Sequence, residues 1–167
     1  MKKIYLFLAA IILTINFSFA QTGWVDYKID NRISAKLPTA PKELLPGTVM
    51  ASTTDSTLCI VTKVDFKAAA GLDSAALAPL LDQQEFTDGL RNGMAGQMQG
   101  YTLSDVKTGT SHGWHTFSLD GVNESQKLKS YTYMVVIGQY MYSFTALVKD
   151  GRDTKHRDEL FASIQIK

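Results

Sequence analysis

Apolar and polar positions alternate with period two in several separate stretches of this chain, and switch to a helical period in one. Residues 33–37 alternate and then meet Pro38 and Pro41, which marks the end of a short strand. Residues 43–52 form a second strand candidate around Pro46 and Gly47. Residues 57–66 form a stronger one, with Leu58, Ile60, Val64 and Phe66 on one face. Residues 67–76, rich in Ala, Gly and Asp, lead into a helix predicted over about 77–98, where Phe86, Leu90, Met94 and Met98 recur every fourth position as an apolar stripe. Pro79 fits such a helix only in its first turn.

Strands resume at residues 101–107, 114–120 and 128–148, the last divided by Gly138 and Gln139 as a two-residue turn that starts with glycine. That turn sets the register: Ile137 faces Tyr140, Val135 faces Tyr142, Tyr133 faces Phe144 and Tyr131 faces Ala146. One face of the hairpin is therefore aromatic and aliphatic, while the other carries Met134, Val136, Met141 and Leu147. Two apolar faces describe central strands covered on both sides. Tyr131, Tyr133, Tyr140 and Tyr142 form either core, covered by the stripe of the long helix, or a platform for a ligand. A last helix starts at Asp153 or Thr154 and turns Leu160, Phe161 and Ile164 inward. The fold class expected is α+β, with a central antiparallel sheet, one long helix and a C-terminal helix.

Gly89, Gly93, Gly96 and Gly100 fall on a second stripe of the long helix, at a cost of up to about 1 kcal/mol each against alanine. That cost is explained either by the domain's own backbone packing closely there or by a partner surface.

The first twenty residues change the picture of where the chain works. Lys2 and Lys3, an apolar run over residues 4–15, and small residues at Ser18 and Ala20 make a secretory signal, with cleavage between Ala20 and Gln21. The run is too short for a membrane span of roughly 20 residues, and the lack of a nearby cysteine argues against a lipoprotein. Removal of 20 of the 167 residues leaves one domain over residues 21–167, large enough to bury a core without staples. A periplasmic or secreted protein follows, without membrane insertion after cleavage. Cys59 is the single cysteine and reads as a buried hydrophobe, so no internal disulfide forms.

Two of the seventeen basic residues lie in the leader, so fifteen stand against sixteen acidic ones afterwards. The charges are scattered, with no basic stripe for nucleic acid and no basic amphipathic helix for a membrane surface. Residues 109–113 match the G-x-S-x-G nucleophile elbow, and Ser111 could be completed by His156 with Asp153 or Asp150. An elbow needs a helix behind the serine, whereas residues 114–119 alternate like a strand, so the segment reads as a Gly-rich hairpin turn. His112 and His115 have metal-like spacing but would point to opposite faces of a strand. Asp82, Glu85 and Asp88 share a helix side that reads as solvated. No phosphate-cradling loop, H-E-x-x-H or EF-hand spacing occurs, so neither a metal nor a cofactor is expected.

The segment Ile33-Ser-Ala-Lys-Leu37-Pro38-Thr-Ala-Pro41, one long helix after the first strands, a tyrosine-rich meander and a last helix through Phe161-Ala-Ser163-Ile164 together resemble the PsbP-like superfamily, with its Mog-like and DcrB-like branches. The resemblance implies an α/β/α sandwich used in several relatives as a non-catalytic binding or assembly module. The function expected is an exported binding module of the bacterial cell envelope, with a protein or small ligand as partner. The alternative is a small secreted serine hydrolase.

Overall fold

The computed structural model describes residues 23–167, and the expected leader with its junction at Ala20 and Gln21 lies outside them. Two antiparallel sheets form the frame. The smaller contains β1 (Val25–Lys28), β2 (Ile33–Leu37) and β11 (Gln165–Ile166), with β2 in the middle. The larger has the order β3 (Lys42–Leu45), β4 (Thr48–Ser52), β5 (Leu58–Asp65), β10 (Tyr140–Lys149), β9 (Leu128–Ile137), β8 (Trp114–Asn123) and β6 (Thr102–Leu103), and β7 (Lys107–Ser111) also pairs with β8. Helices are α1 (Phe66–Ala70), α2 (Ser74–Leu77), α3 (Gln84–Gln97) and α4 (Lys155–Ala162). The class is mixed α and β, with every strand pair antiparallel.

The hairpin of β9 and β10 has the register read from the sequence: Ile137 with Tyr140, Val135 with Tyr142, Tyr133 with Phe144, Tyr131 with Ala146. Its turn holds Gly138 at φ 63°. Residues 43–52 are a hairpin, β3 and β4, because Gly47 at φ 79° reverses the chain after Pro46. The strand expected over 101–107 is only the two-residue β6, followed by β7.

The long helix begins later than its apolar stripe suggests. Asp73 caps α2 by accepting from the N–H groups of Ala75 and Ala76, and Pro79 then sits in a 3₁₀ turn over Ala78–Leu80. Proline lacks the N–H that would continue α2, and its ring collides with the preceding turn, so the chain breaks and α3 restarts at Gln84.

The two faces of the larger sheet carry separate cores. On one, Cys59, Val61, Val135, Tyr142, Phe144, Ala146 and Val148 pack with Ile33, Ala35 and Leu37 of the small sheet and with Leu160 of α4. On the other, Phe117, Leu119, Met134 and Val136 pack beneath Leu77, Leu81, Phe86, Leu90, Met94 and Met98. The tyrosine face is thus covered by the small sheet and α4. The stripe of α3 lies on the opposite face, which corrects the expectation that it covers the tyrosines. Strands β1, β2 and β11 supply that cover with a compact apolar layer, which the short and separated segments at the two ends of the chain did not reveal.

Candidate functional site

On the α3 side, the helix covers β8 and β9 but leaves β5 and β10 open. The result is a groove of about 720 Å³ between α3 and the sheet. Its floor consists of side chains that share one face by register: Ile60 opposite Thr145, Thr62 opposite Ser143, and Val64 opposite Met141, continued by Leu147. The wall is α3, through Gly89, Leu90, Gly93, Met94 and Met98, and amides of Gln97, Gln99 and Gln126 stand around it with Tyr101.

Gly89 and Gly93, on the wall, leave this space open. A Cβ built at Gly89, Gly93 or Gly96 meets nothing within 4 Å, so the stripe does not serve close packing of the domain's own backbone. Gly100 is different: it lies beyond α3 at φ 82°, where a Cβ would come 3.1 Å from the amide of Asn123.

Two hydroxyls on the floor are already engaged, Thr145 with Thr132 at 3.0 Å and Thr62 with Thr48 at 3.2 Å. Ser143 lies between them, is 9% exposed, and its hydroxyl has no hydrogen-bond partner among the described residues. Lys63 and Asp65 of β5 stand at alternate positions to this floor. The Lys63 ammonium lies 2.7 Å from Asp30, and Asp65 caps α1. No aspartate, glutamate, lysine, arginine or histidine lines the groove among the described residues.

The tyrosine row has another environment. Tyr142 is fully buried and its hydroxyl donates to Asp30 Oδ2 at 2.5 Å. Burial and then the Asp30 carboxylate push its phenol well above the usual range. Tyr131 lies under the Arg157 guanidinium, Tyr140 under that of Arg32, and Tyr133 packs on Phe161 with ring centroids 6.1 Å apart.

Ser111 ends β7, and His112 and Gly113, at φ 53° and 80°, turn the chain directly into β8. Ser111 Oγ lies 3.1 Å from His112 Nδ1. A hollow of about 270 Å³ joins Ser111 and His112 with Tyr133, Phe161, Ile164 and Ile166. His156 keeps other company: Asp55 at 3.8 Å, Glu159 at 3.7 Å and the Trp24 ring at 6.1 Å. Asp153 accepts from the Lys155 N–H, and Asp150 pairs with Lys129 at 2.8 Å. The structure therefore brings Ser111 and Tyr133 together, while His156, Asp153 and Asp150 each engage other groups. His115 faces Asp82 at 3.5 Å, and Asp88 accepts from Gln84.

Sequence reading missed Thr62, Ser143 and Thr145 as groove residues. Their signal was present as one hydroxyl on β5 and two on β10, at positions that alternation puts on the same face as apolar neighbours.

A central antiparallel sheet with a small sheet and helix on one face and one long helix on the other makes this a PsbP-like fold. Cyanobacterial PsbP (CyanoP) from Synechocystis sp. PCC 6803 matches 90% of this chain and 96% of its own, at 10% identity and a TM-score of 0.55. A protein from Bacteroides thetaiotaomicron VPI-5482 matches 81% of this chain at 11% identity and a TM-score of 0.44, and the match spans 45% of that protein. The protein of unknown function PA94 from Pseudomonas aeruginosa matches 81% of this chain and 88% of its own, at 13% identity and a TM-score of 0.47. No family model and no curated protein matches the chain. Among the described residues, no helix is long and apolar enough to cross a membrane.

Proposed function

We propose that this chain is a non-catalytic binding module of the bacterial cell envelope, exported by its first 20 residues and working as one α/β/α sandwich domain from Gln21 onward. The observation that carries the reading is the open groove between α3 and the floor of β5 and β10. A helix with glycine at 89 and 93 gives up stability to leave that space unfilled. A further 270 Å³ hollow beside Tyr133 is the place where the tyrosine row would contribute to binding.

The competing reading, a secreted hydrolase, would use Ser111. Ser111 is the last residue of β7, and the turn that follows it leads straight into β8, so no helix N-terminus backs it to stabilise an oxyanion. Affinity capture from the envelope of the protein's own organism tests the proposal, with the mature chain and Gly93→Leu run side by side. A stoichiometric component held by the wild type and lost by the variant supports it. Turnover of model esters that disappears in Ser111→Ala would overturn it.

A further inference from the structure

Resting on that reading, we propose that the groove takes one uncharged aliphatic chain carrying a single oxygen group, an acyl ester, with the Ser143 hydroxyl as its polar contact.

Shape is the first argument. The floor runs along β10 from Met141 to Leu147, roughly 20 Å at the rise of an extended strand. The volume of about 720 Å³ lies within the range of small-molecule sites. A long open channel fits a chain better than a compact ring.

Charge is the second. The groove offers no countercharge, because Lys63 and Asp65 are engaged elsewhere and Glu85, Asp88 and Arg91 of α3 do not line it. An ionised group on the enclosed part of a ligand would lose hydration without a partner.

Surface chemistry is the third. Ile60, Val64, Leu90, Leu147 and four methionines supply flexible aliphatic contact, and Tyr101 is the single aromatic among the lining residues. Sugars and flat aromatic ligands would lack a stacking platform.

Ser143 is the fourth. It lines the centre of the floor, and its hydroxyl has no hydrogen-bond partner among the described residues, while the threonine hydroxyls on either side are paired. An ester carbonyl placed there accepts its hydrogen bond as the groove is filled.

The test uses the mature chain and the fluorescent straight-chain probe methyl cis-parinarate, an uncharged acyl ester, displaced by methyl laurate or by dodecane. Wild type is expected to bind the probe at one site and release it to methyl laurate. Gly93→Leu is expected to weaken binding about tenfold or more, because its side chain enters the groove, while its melting temperature does not fall. Gly96→Ala, on the same helix but outside the lining, is expected to bind as wild type. Ser143→Ala is expected to weaken methyl laurate about fivefold and leave dodecane unchanged. Methyl laurate held by the protein, with no dilauroyl phosphatidylcholine retained after the protein is separated from vesicles, assigns a free acyl ester, and phosphatidylcholine retained at one per protein assigns a chain drawn from a lipid.

A folded wild type that binds no probe, or a Gly93→Leu protein that binds as wild type does, would overturn the acyl assignment. If envelope capture still loses its component in Gly93→Leu, the binding-module reading survives that failure. If methyl laurate is instead hydrolysed in a Ser111-dependent way, the module reading itself fails.

Discussion

Asp30 shows how a single side chain ties the layers together. It accepts from Tyr142 Oη at 2.5 Å, from Lys63 Nζ at 2.7 Å and from the Arg32 N–H at 2.8 Å, joining the turn after β1 to strands β5 and β10. Burial alone would raise its pKa, but the hydrogen bonds from Lys63, Tyr142 and Arg32 and the Lys63 charge outweigh burial and hold it at about 2, against an ordinary 3.8. A carboxylate held low contributes stability that is complete above about pH 4 and is lost as pH falls through about 2. Tyr142→Phe should therefore cost about 1.5–3 kcal/mol at neutral pH, with the difference from wild type shrinking toward pH 2, as urea unfolding across that range will show. Cys59 is fully buried, and burial first, then the charges of Asp55 and Glu159, push its thiol up to about 12. A thiol reagent at pH 8 should label it only after denaturation, and rapid native labelling would contradict its placement. Period two put Tyr142 on an apolar face, yet nothing in the local sequence pointed to a carboxylate 112 residues away. Cys59 was legible as a buried hydrophobe because its neighbours Leu58, Ile60 and Val61 already formed an apolar run.

Glycine has two different roles among the elements, and the two predict opposite signs. In α3, Gly96 has ordinary helical geometry and open space around a built Cβ, so Gly96→Ala should raise stability by up to about 1 kcal/mol. At the β9 to β10 turn, Gly138 has φ 63° and a built Cβ stands 3.2 Å from Ser74 Oγ, so Gly138→Ala should cost about 1 kcal/mol or more. Thermal unfolding of the two variants checks both. The hairpin was legible down to its register because its signals are local: a two-residue turn and alternation on both sides. The start of α3 was not. The apolar stripe continues through Leu77 and Leu81, both buried, although Pro79 and the 3₁₀ turn between them break the helix. Periodicity records which residues are buried, and burial persisted across the break.

At the scale of the molecule, the groove depends on which layer covers which face. Both faces of β9 and β10 were readable as apolar. Their assignment was not, because the small sheet is assembled from β1 and β2 near one end of the described chain and β11 at the other, and pairing over such distances leaves no periodic signal. Once that sheet and α4 occupy the tyrosine face, α3 is left for the other, too narrow to cover β5 and β10, and the groove follows. Methionine methyl groups report on this arrangement directly. Met94, Met98, Met134 and Met141 line the groove, while Met50 on β4 stands beyond its edge, across from the floor residue Ile60. With methionine methyls labelled with carbon-13, titration of the mature chain with methyl laurate should shift the NMR signals of those four more than that of Met50. Signals that all stay fixed, or a shift at Met50 alone, would contradict the groove as the binding site.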